Sequence, residues 1–138
     1  MNSENEIVKK IELGNSLEEE KRYDDALHTY LSIWNEDIAL KKDKYTISET
    51  RWLISCIYML YIKKKDYKNA RQWAEEVFKC KIPYRGTSEL ISLGVIYLEL
   101  GLKNEAMEQF DKAYQKGKIR AFQGFDNKYL QFYLSNKK

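Results

Sequence analysis

Several things are scarce in this chain, and each scarcity closes a class of function. A single proline and six glycines in 138 residues leave few enforced breaks, so long helices are permitted and a loop-rich fold is not. The one histidine, His28, and the two cysteines, Cys56 and Cys80, form no CxxC pair or ligand-like cluster. A zinc site or disulfide framework is therefore not expected, and both thiols are expected to be free and buried. No apolar run approaches the roughly 18 residues of a membrane span. The acidic, polar opening Met1-Asn2-Ser3-Glu4-Asn5-Glu6 is wrong for a signal peptide, so the cytoplasm is the expected compartment. There is no Gly-rich phosphate loop, no HExxH and no GxSxG. His28 lies beside Asp24 and Asp25 with no nucleophile near it in sequence, which suits a solvated residue better than a base. The run Glu18-Glu19-Glu20 points its carboxylates in different directions on a helix and does not make a cation site. Neither enzyme chemistry nor a cofactor or metal is expected.

What remains is 43% hydrophobic, 14% aromatic and 33% charged, the profile of a helical protein with a real core. Leu90, Leu93, Tyr97 and Leu100 recur at intervals of three and four, as do Leu53, Ile57, Leu60 and Tyr61, and nothing alternates with period two. The spacing predicts helices over about 4–20, 23–37, 47–64, 67–80, 87–100, 103–116 and 122–135, in one domain over 1–138. Ser3 with Glu6, and Thr46 with Glu49, read as capping boxes. Gly101 and Gly117 read as helix ends, and Gly86 as part of a break after Pro83.

The short second helices align. Tyr23-Asp24-Asp25-Ala26 matches Tyr67-Lys68-Asn69-Ala70 and Lys103-Asn104-Glu105-Ala106. Alanine at a crossing lets two helices approach closely. Four residues on stand Tyr30, Ala74 and Phe110, and three further on Ile33, Val77 and Ala113, all on one face. The phrase Leu93-Gly94-x-x-Tyr97 precedes the third set. Together these resemble the tetratricopeptide repeat, a helix-turn-helix of 34 residues. The third unit, about 87–120, matches most closely: Leu90 in the Trp slot, then Leu93, Gly94, Tyr97, Ala106, Phe110 and Ala113. The first, about 7–40, keeps Leu13, Gly14, Ala26 and Tyr30. The second, about 51–84, keeps Tyr61, Ala70 and Pro83 but exchanges sizes, with Tyr58 in the small slot and Ala74 in the aromatic one. Extra residues fall near Ile38–Tyr45 and near Pro83–Gly86. The fold class implied is all-α, an antiparallel helix-hairpin solenoid of three repeats. Residues 121–138 would supply a C-terminal capping helix.

The resemblance also implies a function, a non-catalytic adaptor that grips a peptide or helix of a partner protein in a concave groove. Its inward offsets fall on Ile11, Asn15 and Glu18, on Trp52, Ser55, Met59 and Ile62, and on Ser88, Ile91, Val95 and Leu98. The expected groove anchors are Trp52, Ser55, Met59, Ile62, Ile91, Val95 and Leu98, an apolar stripe unless the C-terminal helix, with Phe125, Tyr129, Leu130, Phe132 and Tyr133, folds back over it. Arrays of this family that hold chaperone C-terminal carboxylates carry Lys, Asn and a further basic residue inside. The matching positions here read Ile11, Asn15, Cys56, Ser88 and Ser92, so a carboxylate would find no cation.

Charge is uneven. The net charge is +3, yet residues 1–36 are acidic and the chain from Gln115 onward is basic. Two further readings follow. A stoichiometric inhibitor, such as a bacterial immunity protein, could use Glu12, Glu18, Glu19, Asp24 and Asp25 as an acidic contact. A nucleic-acid binder could use Lys116, Lys118, Arg120 and Lys128 interleaved with Phe122, Phe125 and Tyr129. Nucleic acid and membrane are the less expected partners.

Overall fold

A computed structural model describes residues 3–83 and 86–138, with the side chains of Ser3 and Glu4 excluded. Seven α-helices are present among the described residues and no strand: α1 Ser3–Glu19, α2 Tyr23–Ile33, α3 Ser48–Lys63, α4 Tyr67–Glu76, α5 Ser88–Glu99, α6 Lys103–Gly117 and α7 Asn127–Asn136. The chain divides into two compact units, Met1–Lys81 and Ile82–Lys138. The first holds the hairpins α1–α2 and α3–α4. The second holds the hairpin α5–α6 followed by α7.

Within each hairpin the close approach is visible at atomic scale. Ala26, Ala70 and Ala106 are completely buried, as crossing residues must be. A Cβ added at Gly14 would lie 2.8 Å from Tyr30 Cδ1, and one at Gly94 2.6 Å from Phe110 Cδ1. The ring occupies the space that glycine vacates. The middle hairpin solves the same problem in reverse. Tyr58 on α3 is 2% exposed and Ala74 on α4 is fully buried, so the large group comes from the first helix and the small one from the second.

The turns repeat as well. Lys21, Lys65 and Gly101 take φ of 62°, 59° and 82°. In each turn, the next residue's N–H bonds back over five positions: Arg22 to the Leu17 carbonyl at 2.9 Å, Asp66 to Tyr61 at 2.9 Å and Leu102 to Tyr97 at 2.8 Å. This left-handed closure satisfies carbonyls that the helix end leaves open. Only the third turn uses glycine.

The structure corrects several expectations about helix ends. Thr46 does not cap α3, whose N-cap is Ile47 with no side-chain bond. The Thr46 hydroxyl instead donates to the Asp43 carbonyl at 2.8 Å, closing the short 3-10 turn Lys44–Thr46. The box at Ser3 lies outside the described side chains. Gly117 does not supply the left-handed residue after α6, because Lys118 does, with φ 53°. The last helix begins at Asn127 instead of near 122. A 3-10 turn occupies Lys118–Phe122, Gly124 reverses the chain at φ 90°, and the Asp126 side chain caps α7 by accepting from the Lys128 N–H at 3.0 Å. The second helix of the first hairpin ends at Ile33 and continues as a π turn, Trp34–Ile38.

Substitutions at the crossings and at the turns test this account. Gly94→Ala should cost about 1–3 kcal/mol in urea unfolding, since the ring of Phe110 has nowhere to go. Ala74→Phe should cost a similar amount alone, and Tyr58→Gly should restore much of the loss when combined with it. Lys65→Gly should stabilise by about 1 kcal/mol, because a side chain in the left-handed region is strained. Gly101→Ala should shift stability by a similar amount in the opposite direction.

Candidate functional site

The residues of α3 divide cleanly between two faces. Leu53, Ile54, Ile57, Tyr58 and Leu60 are buried. Trp52, Ser55, Met59 and Ile62 follow one another at three, four and three residues, a single helical stripe. Trp52 is 36% and Met59 41% exposed, and Ser55 and Ile62 are partly buried. The Ser55 hydroxyl stays within its own helix, 2.9 Å from the carbonyls of Arg51 and Trp52. The stripe therefore presents two large apolar side chains separated by a small polar one.

Beside it, α1 contributes polar groups that are already engaged. The single proton of the Tyr30 hydroxyl is shared between two acceptors, Asn15 Oδ1 at 2.6 Å and Glu18 Oε1 at 2.7 Å. Lys63 Nζ reaches Glu18 Oε2 at 2.7 Å, and the Cys56 thiol lies 3.6 Å from Asn15 Oδ1. Asn15, Glu18, Glu19 and Lys63 line a recess of about 330 Å³. Burial, then the bond to Glu18, raises the Tyr30 pKa. Burial, then the charge of Glu18, pushes the Cys56 thiol up to about 11. The hydrogen bond to Glu18 raises Lys63. At neutral pH the thiol is protonated and is not a nucleophile. The network orders the inner ends of α1 and α3, and Ile11, expected to face inward, is fully buried.

In the second unit the expected stripe is corrected. Ile91 is fully buried and Val95 is 4% exposed, so neither presents a surface. The reason lies in the sequence of α5. From Leu90 to Tyr97 it is apolar or small on every side, and such a helix is enclosed all round. Leu98 is partly buried, Ser88 exposed and Ser92 buried. Trp52, Ser55, Met59 and Ile62 thus lie along one partly exposed stripe of α3, whereas Ile91 and Val95 are buried in α5.

The acidic residues do not form one free patch. Glu18 is held as above, Asp24 pairs with Lys64, and Asp25 pairs with Arg22 at 2.8 Å. Glu12 and Glu19 are exposed on α1. The aromatic residues of the basic end are mostly structural. Phe122 and Tyr129 are 4% and 8% exposed, and the Phe110 ring packs against those of Phe122 at 5.5 Å, Tyr129 at 6.3 Å and Phe132 at 6.3 Å. Lys128 sits 3.5 Å from Glu99. Phe122 and Tyr129 are thus committed to packing within the unit, and Phe125 is half-buried. Helix α7 caps its unit by packing on α6 and the 118–122 turn, and its Tyr129 hydroxyl donates to Glu99 on α5 at 2.8 Å.

The third hairpin combines a small residue opposed to a ring, an alanine at the crossing and a left-handed turn between helices. Residues 90–115 match the tetratricopeptide repeat. The chain is accordingly all-α with a tetratricopeptide-like helical-repeat architecture, and repeats of this kind are protein-interaction modules. No curated protein matches the chain. No helix among the described residues is long and apolar enough to cross a membrane.

Sequence reasoning passed over one cluster. Trp34 and Trp73 meet edge to face at 5.1 Å, beside Tyr45 and Glu76, which share a hydrogen bond. Both tryptophans lie outside the family's signature positions, and Tyr45 lies in the extra residues between the first two repeats. The available signal was that two of the three tryptophans fit no repeat position.

The polar recess yields its own prediction. At pH 8 Cys56 should react with a maleimide on the order of 100-fold more slowly than an unperturbed thiol, given the difference in thiolate fraction. Glu18→Gln removes a charge that raises the Cys56 pKa, and labelling should accelerate.

Proposed function

We propose that this chain is a non-catalytic interaction module that holds an apolar-faced segment of a partner protein along α3. The observation that carries the reading is the stripe Trp52, Ser55, Met59 and Ile62, with a tryptophan and a methionine exposed on a helix whose other face is fully committed to the core. Exposed Trp is the residue type that most often dominates binding energy, and Met adapts to partners of varied shape. The spacing of Trp52 and Met59, two helical turns apart, suits an amphipathic helix or extended peptide offering two apolar side chains at a matching interval. The neighbouring Asn15, Glu18 and Lys63 give the edge of the surface a polar character and would favour a segment with polar flanks.

The cytoplasm suits such a role. The partly buried Cys56 thiol is held protonated.

The test is affinity capture from the source cell followed by titration of the captured partner. Trp52→Asp combined with Met59→Asp should weaken binding by at least about 30-fold, the loss of a hot spot worth about 2 kcal/mol. Circular dichroism should be unchanged, because both side chains face outward. Undiminished capture by the double variant would remove α3 as the binding surface.

A further inference from the structure

The features of the first unit that depart from a regular repeat converge on one place. Helix α2 loosens into a π turn at Trp34–Ile38, a geometry that often marks functional positions. The extra residues that follow deliver Lys44 and Tyr45. The π turn and α4 bring Trp34 and Trp73 together with centroids 5.1 Å apart and planes at 89°. Trp34, Asn35, Gln72, Trp73 and Glu76 line a notch of about 230 Å³. That is below the roughly 300–1,000 Å³ of drug-sized sites, so it suits a single head group.

The charges around it are arranged. Glu76 Oε2 accepts from the Tyr45 hydroxyl, and Oε1 lies 3.1 Å from Lys79. Burial raises the pKa of Glu76, but the bonds from Tyr45 and Lys79 outweigh it and hold the carboxyl below its ordinary value, so the carboxylate is an anion at neutral pH. The faces of Tyr45 already draw cations, with Lys44 Nζ at 5.2 Å and Lys79 Nζ at 5.6 Å from the ring centroid. Trp has the strongest cation-attracting face of the aromatic side chains, and two perpendicular rings beside a carboxylate are the arrangement that recognises methylated ammonium groups.

We infer that the Trp34–Trp73 notch is a binding site for a quaternary ammonium group, such as that of choline or of a trimethylated lysine side chain. The site is separate from the α3 stripe and does not depend on it. The perpendicular rings supply two walls of negative potential, and Glu76 supplies the formal charge. Lys79 is the internal competitor, because its ammonium group shares the carboxylate that a ligand would approach.

The test uses the full chain carrying Trp52→Phe, so that fluorescence reports Trp34 and Trp73 alone. Tetramethylammonium chloride, titrated at constant ionic strength, should give a saturable change. Neopentyl alcohol, a neutral molecule of similar shape, should not. Trp73→Leu keeps an apolar side chain but loses the π face. It should weaken binding at least about tenfold with unchanged circular dichroism, followed through Trp34. Lys79→Gln should tighten binding several-fold by freeing the Glu76 carboxylate. Choline and a trimethyllysine peptide, titrated in parallel, distinguish the two sources of the group by which binds more tightly. An equal response to the neutral alcohol would reduce the notch to an apolar crevice. No saturable response to tetramethylammonium, or weaker binding in Lys79→Gln, would also overturn the assignment.

Discussion

The constraint on which this molecule depends is the distance between the two helices of each hairpin. Alanine at positions 26, 70 and 106 is fully buried and sets that distance. Once the axes are this close, only one of two facing positions can carry a large side chain. Gly14 opposite Tyr30 and Gly94 opposite Phe110 are one solution, and Tyr58 with Ala74 is the other. Total volume across the pair is kept while its distribution is inverted, the kind of exchange a close-packed interior tolerates. A hairpin built to this rule also needs a short reversal, which the left-handed residues 21, 65 and 101 supply. These residues fall at the same intervals as the alanines.

Much of this was legible in the sequence, and the reason is physical. Close packing demands particular residue sizes at particular offsets, and size is something a sequence displays directly. The number and order of the seven helices, the crossings and the exchange at Tyr58 and Ala74 were readable that way. Less legible were features decided by competition among local hydrogen bonds. Thr46 had a capping sequence but closed the preceding 3-10 turn. Lysines occupy three left-handed positions, 21, 65 and 118, where glycine would be the obvious signal. The late start of α7 depends on Gly124 and on Asp126 as its cap, and both were hidden in a segment whose apolar spacing looked continuous.

The candidate surface was half legible. Offset alone placed Met59 and Val95 in equivalent positions, yet one is exposed and the other enclosed. The difference lies in the rest of each helix. α3 carries Arg51, Ser55, Lys63 and other polar groups around its stripe, so solvent can reach it. α5 offers no polar side between Leu90 and Tyr97, and so has no face to leave outside. A positional rule for a groove is thus subordinate to the overall polarity of the helix that bears it.

The distinction between what packing compels and what it leaves free also bears on function. Residues at the crossings are needed for the hairpin to close and say little about purpose. Trp52 and Met59, 36% and 41% exposed, lie outside the fully buried set of α3. Their apolar character therefore asks for a different account from that of Leu53 or Ile57, and contact with another molecule gives one. Trp34 packs against the core of its unit, but the backbone that carries it and Tyr45 departs from the repeat. A regular helix would end the first repeat without a π turn, and the connection to α3 would be shorter without the residues that carry Tyr45. Departures of that size persist against the economy of the repeat, and here they meet around one carboxylate.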